Sequence, residues 1–370
     1  MRYLSLDLLR GIAVILMIQV HFVDNLSRHD DSTACVDFIS ETILGTISAP
    51  LFTFVSGISY YLWLRKQDQA DQSDQAITKK SILRGCFLFV AGLVFNFLLW
   101  LPEGVFNWDI LTLIGSALVI LAFGRRLPLS ILALAGVMIL LLSPPLRIVG
   151  DYAAYWYEEQ SYSYDFTIRD IAFGFVANGF FPLFPWLIFP ISGFIVGALV
   201  FESTSAYTGW SLLVAAAGLM AIAALGIALA PGSPHAVGRL FASGYSMYPP
   251  TTEYIAGTLG LSLAAFVLLH RFVDGRADVL GTLLPVRILQ RFGMYSLTLY
   301  VLHQMMHLWP LWAYGWLSGH EATFFWRRAL GTPTALGLAL VCLVGCYAAA
   351  SFLDQHRQLA LESLMRKICG

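Results

Sequence analysis

Long apolar runs separated by short polar stretches make up the pattern of this chain from end to end. A window of about 19 residues resolves them into about ten segments of membrane-spanning length. They cover residues 5–23, 43–64, 82–100, 110–123, 129–142, 184–200, 210–229, 254–269, 288–308 and 335–352. All are expected to be helices, because in lipid only a helix or a closed barrel satisfies its own backbone. The predicted architecture is therefore all-α and polytopic, with 1–370 a single transmembrane domain and no separate soluble part. One stretch differs: residues 166–180 are only moderately hydrophobic and contain Arg169, Asp170 and Asn178, which suits an interfacial or re-entrant helix. Pro182, Pro185 and Pro190 then break or kink the start of the sixth span.

Composition strengthens this picture. Of the 370 residues, 58% are hydrophobic and only 12% charged, and the mean hydropathy is +0.71. That is more apolar surface than a soluble core of this length buries. A net charge of −1 gives no basic footprint for nucleic acid. The five cysteines form neither a disulfide framework nor a metal-ligand spacing, so no metal is expected. The opening apolar run is of spanning length and lacks a cleavage pattern, so it is expected to stay as a signal anchor.

Loop charge sets an orientation. Arg65, Lys66, Lys79, Lys80 and Arg84, then Arg125 and Arg126, then Arg271, Arg276, Arg287 and Arg291 occupy alternate loops. The positive-inside rule places those loops, and with them both termini, in the cytoplasm. Arg327 and Arg328 fall on the other side, against the rule.

Candidate chemistry begins in the first span, where Asp7, Arg10, Gln19 and His21 interrupt an apolar run. A charge near the bilayer centre costs roughly 2.5–3.5 kcal/mol, so it normally faces a bundle interior or a wet cavity and acquires a partner. Arg10 and His21 lie a net rotation of roughly 20° and a rise of roughly 16 Å apart on an ideal helix. They share a side and face opposite leaflets, and Asp7 is one turn from Arg10. Plainer readings also stand: Arg10 as a topology-setting flank and His21 as an interfacial ring. In the ninth span His303 and Gln304 lie towards the outer end, in the leaflet of His21, so the two histidines are expected to meet across one cavity. His307, a turn further, reads as interfacial. The outward loop from Ser143 to Asp170 carries Tyr152, Tyr155, Trp156, Tyr157, Tyr162 and Tyr164 among carboxylates, which suits sugar stacking or an interfacial belt. Thr251 or Thr252 is placed to cap the eighth helix.

Several motifs occur in a recognisable order. They are Ser5-Leu6-Asp7-Leu8-Leu9-Arg10-Gly11 with Val20-His21, Pro50-Leu51-Phe52-Thr53-Phe54-Val55-Ser56-Gly57-Ile58-Ser59, and Asp109-Ile110-Leu111-Thr112. Phe184-Pro185-Trp186, Tyr248-Pro249-Pro250-Thr251, and Ser296-Leu297-Thr298-Leu299-Tyr300 with His303 follow. Together they resemble the bacterial relatives of heparan-alpha-glucosaminide N-acetyltransferase, within the broader transmembrane acyltransferases. The resemblance covers nearly the whole chain. It implies an acyltransferase of a bacterial inner membrane that takes acetyl from cytosolic acetyl-CoA and passes it to a sugar or glycan on the far side. The sequence departs from the lysosomal member, in which the catalytic histidine lies in the loop after the first helix and an asparagine matches His21. Here that loop holds His29, at a different spacing.

On this reading an acceptor amine or hydroxyl loses a proton as it attacks the thioester, which calls for a base with a pKa near neutrality. His21 is assigned that role, with His303 orienting the acceptor or stabilising the carbonyl oxygen; a ping-pong route through acetyl-histidine is the variant. Arg10, Lys79, Lys80, Arg84, Arg287 and Arg291 are the candidates for the CoA phosphates. Asp7, Ser56, Ser59, Asn96, Asp109 and Gln304 are assigned to the substrate path, although small polar residues also glue helices together. The competing class is a proton-coupled secondary transporter relaying through Asp7, Arg10, His21 and His303. Acceptor identity, acyl length and a homodimeric assembly are left open.

Overall fold

Each expected span has a helix in the computed structural model, which describes residues 3–28, 34–100, 104–156, 167–202, 207–230, 244–322 and 325–370. In chain order the principal helices are α1 Leu4–Leu26, α2 Thr46–Gln69, α3 Asp74–Trp100, α4 Ile110–Gly124, α5 Leu129–Val149, α6 Ile188–Glu202 and α7 Tyr207–Leu229. They continue with α8 Thr252–Val273, α9 Leu284–Met294, α10 Ser296–Leu317, α11 Thr332–Gln355 and α12 Leu361–Cys369. No strand occurs among the described residues. Eight helical stretches among them are long and apolar enough to cross a membrane, so this is an all-α multi-pass membrane protein. Exposed Val214, Leu225, Val341 and Val344 give α7 and α11 the surface that lipid requires.

Two expectations are refined. The ninth span is not one helix over 288–308: it breaks at Tyr295 into amphipathic α9 and α10. A break exposes the first backbone N–H groups of α10, which an uninterrupted helix would have satisfied. Glu362 of α12 supplies the acceptors, taking hydrogen bonds from Leu297 N at 2.8 Å, Thr298 N at 3.1 Å and Thr298 Oγ1 at 2.6 Å. At 166–180 the described part is a short helix, Ile168–Phe173, followed by a π-helical turn, Gly174–Asn178. The prolines act as expected: Phe184, before Pro185, has φ −103° and ψ 119°, and continuous helix starts only at Ile188.

Two compact units emerge. The first comprises Met1–Phe52 and Leu268–Ile368 with Gly370. Here α1 crosses α9 at backbone contact, made possible by glycine on both sides. A Cβ on Gly293 would overlap the Asp7 carbonyl, and one on Gly11 the Leu289 carbonyl. The start of α1 lacks a cap from its own residue Tyr3, and Asp274 accepts instead from Ser5 N at 2.8 Å and Ser5 Oγ at 2.6 Å. At the other end Arg28 N donates to Leu330 O, Leu330 N to Leu26 O and Arg328 N to Asn25 O. The segment carrying Arg327 and Arg328 is thereby laid along the end of α1. Ser27, Thr332 and Asp37 close that corner with 2.5 Å hydrogen bonds.

The second unit comprises Thr53–Val267 with Cys369. Its core holds Trp186, Phe189, Tyr254, Phe54 and Phe266, all buried; burying each such side chain contributes about 1.5–3 kcal/mol. α2 and α6 cross closely at Gly57 and Gly193, where a Cβ would overlap the carbonyls of Pro190 and Phe54 respectively. Thr251 caps α8 as expected, accepting from Tyr254 N at 3.2 Å.

Candidate active site

His21 lies near the C-terminal end of α1, where the first unit ties that helix down through Ser27 and Leu330. His303 lies on α10, whose starting point is set by Glu362. Their rings stack with centroids 5.4 Å apart and planes 24° from parallel. The two side chains meet, by direct ring contact and not across a cavity.

The surroundings of His303 define its tautomer. The ring is fully buried, and Nδ1 lies 3.2 Å from the carbonyl oxygen of Leu299, one turn back. A carbonyl only accepts, so Nδ1 carries the hydrogen and Nε2 the lone pair. No hydrogen-bond partner satisfies that buried Nε2. Tyr300 packs edge-on at 5.8 Å, so the ring is held on two sides with its base nitrogen open.

His307 corrects the sequence reading. It is not turned to the surface but 2% exposed, stacked on Phe22 at 4.2 Å and 6.1 Å from Trp326. Neither of its ring nitrogens has a hydrogen-bond partner. The signal was available in the four-residue spacing from His303, which puts both rings on one face of α10. Gln304 Oε1 and both amide atoms of Gln19 are likewise buried without partners. Buried polar atoms are usually satisfied, and each exception asks for an explanation such as a catalytic role. α1 and α10 hold several of these exceptions; others, among them both carboxylate oxygens of Glu253, lie in the second unit. Among the described residues, no three His, Cys, Asp or Glu side chains converge as metal ligands.

Asp7 and Arg10 pair at 3.4 Å, with Asp7 buried and Arg10 partly exposed, as their spacing predicts. Arg291 is engaged on α11: Nε meets Asp354 at 2.8 Å, and NH1 donates to Tyr347 Oη at 2.7 Å and Ser351 Oγ at 3.0 Å. Its guanidinium joins α9 to α11, while Arg287 is exposed. On α3, Lys79 is exposed, Lys80 half-buried, and Arg84 sits over the Trp63 ring at 4.3 Å.

The residues assigned to a substrate path in the second unit have local duties. Ser56 and Ser59 donate to the carbonyls of Thr53 and Val55 on their own helix, at 2.6 and 2.5 Å. Asn96 Nδ2 donates to Val105 O at 3.3 Å. Asp109 is the N-cap of α4, accepting from Leu111 N and Thr112 N at 3.1 Å each. A cavity of about 200 Å³, not foreseen from the sequence, is lined by Tyr61, Leu64, Arg65, Asp68, Arg125, Phe194 and Glu202. Tyr61 donates to Glu202 at 2.6 Å and Arg65 to the carbonyl of Phe201, so this recess is already internally bonded.

Of the aromatic loop, Trp156 packs with Phe180 at 5.0 Å and Tyr248 at 5.8 Å. Burial pushes the Tyr152 hydroxyl above the usual tyrosine range, against the charge on Arg147. Tyr157, Tyr162 and Tyr164 lie outside the described residues, as does His29. Arg327, beside Trp326, is held below the ordinary arginine range by burial, opposed by the charge of Asp24.

The family model described as "Heparan-alpha-glucosaminide N-acetyltransferase, catalytic" matches residues 2–228. No curated protein matches the chain.

Proposed function

Because the chain belongs to the heparan-alpha-glucosaminide N-acetyltransferase catalytic family, a family of membrane acetyltransferases, we propose that it moves acetyl from cytosolic acetyl-CoA to a sugar or glycan on the extracytoplasmic side. The membrane is a bacterial inner membrane, with both termini in the cytoplasm.

The stacked His21–His303 pair carries this reading. Acyl transfer needs a base beside the attacking nucleophile, and proton transfer by a positioned side chain is worth about 10²–10⁴ in rate. His21 takes the proton from the acceptor amine or hydroxyl, and His303, whose Nδ1–H is held by Leu299 and whose Nε2 can only accept, orients the acceptor through its N–H or O–H and not the carbonyl oxygen. Gln304 and Gln19, with unsatisfied amide atoms, suit the hydroxyl groups of a saccharide. On this reading the CoA phosphates draw on some of Arg10, Lys79, Lys80, Arg84 and Arg287, whereas Arg291 is bound to Asp354.

The test uses purified full-length protein in proteoliposomes with isotopically labelled acetyl-CoA and glucosamine. Labelled N-acetyl product in the wild type and its loss in His21→Ala support the assignment. Loss in His29→Ala with His21→Ala unimpaired places the base in the loop instead. Thermal stabilisation by acetyl-CoA and not by free acetate separates the enzyme from a solute transporter.

A further inference from the structure

Gln75, Thr78, Lys79, Ile82 and Leu83 follow one another at the three- and four-residue spacings that place them on one face of α3. With Arg126 they line an open groove of about 360 Å³ along the first turns of that helix. The end of α4 lies beside it because Gly85 and Gly115 bring the two helices together, a Cβ on either overlapping the carbonyl of the other. Arg125 and Arg126, which follow α4, both reach back to Asp74 and donate to Thr78 Oγ1, at 3.2 and 3.1 Å. One carboxylate is therefore bonded into a rim that also holds Arg125, Arg126 and exposed Lys79. The rim is cationic.

The floor of the groove is apolar, and its face does not stop at Leu83. Cys86, Val90, Val94 and Phe97 continue the same face along α3, and all of them are exposed. On a membrane-spanning helix such a stripe meets acyl chains. With the orientation proposed above, the cationic rim stands at the headgroup level of the cytoplasmic leaflet, and the stripe leads from it into the bilayer. A phosphate requires cations at that depth, and the chains attached to it require an apolar path away from them; the groove supplies both in that order. Coenzyme A carries the phosphates but not the chains, because its pantetheine arm is polar and gains nothing from a stripe that faces lipid.

We infer that this groove binds an anionic phospholipid, with the phosphate between Lys79 and Arg126 and an acyl chain along Leu83, Val90 and Val94. The site lies outside the acetyl-transfer chemistry and takes Lys79 from the candidates for CoA.

Native mass spectrometry of the purified full-length protein, titrated with phosphatidylglycerol or phosphatidylcholine, tests it. Wild type should bind phosphatidylglycerol more tightly. Lys79→Gln and Arg126→Gln should each weaken that binding about fivefold and the double variant about 25-fold, with phosphatidylcholine binding as in wild type. Arg126→Lys, which keeps the charge, should retain most of the affinity. Equal affinity of the wild type for the two lipids, or variants that hold phosphatidylglycerol as tightly as wild type, overturns the site. Coenzyme A that displaces phosphatidylglycerol and loses affinity in the same variants overturns the lipid and gives the groove to the nucleotide. A dimer that forms in place of lipid binding overturns it in favour of a second copy of the chain. Binding is read without turnover, so failure to transfer acetyl refutes the enzymatic reading alone.

Discussion

His21 on α1 and His303 on α10 stack at 5.4 Å, two titratable rings from opposite ends of the chain in face-to-face contact. Residues that act as one unit lose their effect together. His21→Ala and His303→Ala are each expected to lower kcat by about 10²–10⁴, with the double variant no slower than the slower single. A double-mutant cycle on acetyl transfer measures this, and losses that multiply would show that the rings work independently.

Glu362 is expected to stabilise the fold by capping α10 from another helix. Removing a capping side chain costs about 0.5–2 kcal/mol. Glu362→Ala should therefore lower Tm, and Glu362→Gln, which keeps one acceptor oxygen, should lower it less. Equal melting of all three proteins would mean that the break at Tyr295 needs no cap.

Gly293 is a packing requirement. A Cβ there meets the backbone carbonyl of Asp7, which cannot swing aside as a flexible side chain could. Gly293→Ala should destabilise by about 1–3 kcal/mol through forced separation of α1 and α9. Gly337→Ala on α11 is the control, since nothing lies within 4 Å of its added Cβ. Similar thermal melts for the two variants would contradict the close crossing.

Asp109 tests cap against path. As the N-cap of α4 it should cost about 1 kcal/mol when changed to alanine, with turnover per folded molecule retained. Asp109→Asn, which keeps the accepting oxygen, should recover most of the lost stability. A normal Tm with abolished acetyl transfer would restore the substrate-path assignment.

Arg291 is expected to tolerate lysine poorly. Its guanidinium reaches Asp354, Tyr347 and Ser351 at once, a spread of donors that an ammonium group lacks. Arg291→Lys should lower Tm and leave KM for acetyl-CoA unchanged. A selective rise in that KM at constant Tm would return Arg291 to the phosphate-binding set.

Much of this fold was legible residue by residue. Apolar run lengths located the helices, the prolines before Ile188 located a break, and Thr251 announced its own cap, because each depends on neighbours in the chain. The Asp7–Arg10 pair follows from a three-residue spacing for the same reason. The break in the ninth span was not legible, since the apolar pattern runs across Tyr295 and the acceptor that stabilises the break, Glu362, comes from a distant helix.

Their position in otherwise apolar spans brought His21 and His303 forward, but a linear chain does not say which buried nitrogen is satisfied. Packing of α10 commits Nδ1 of His303, buries His307 and leaves both of its nitrogens without partners. Packing likewise bound Arg291 to Asp354 and made Asp109 a cap. Sequence by itself determined what lies within a helical turn: spans, pairs, caps and which side chains are costly to bury. Tertiary structure alone decided which of those costly groups are satisfied, because hydrogen bonds and ring contacts depend on separation in space, and that is set by how distant helices pack.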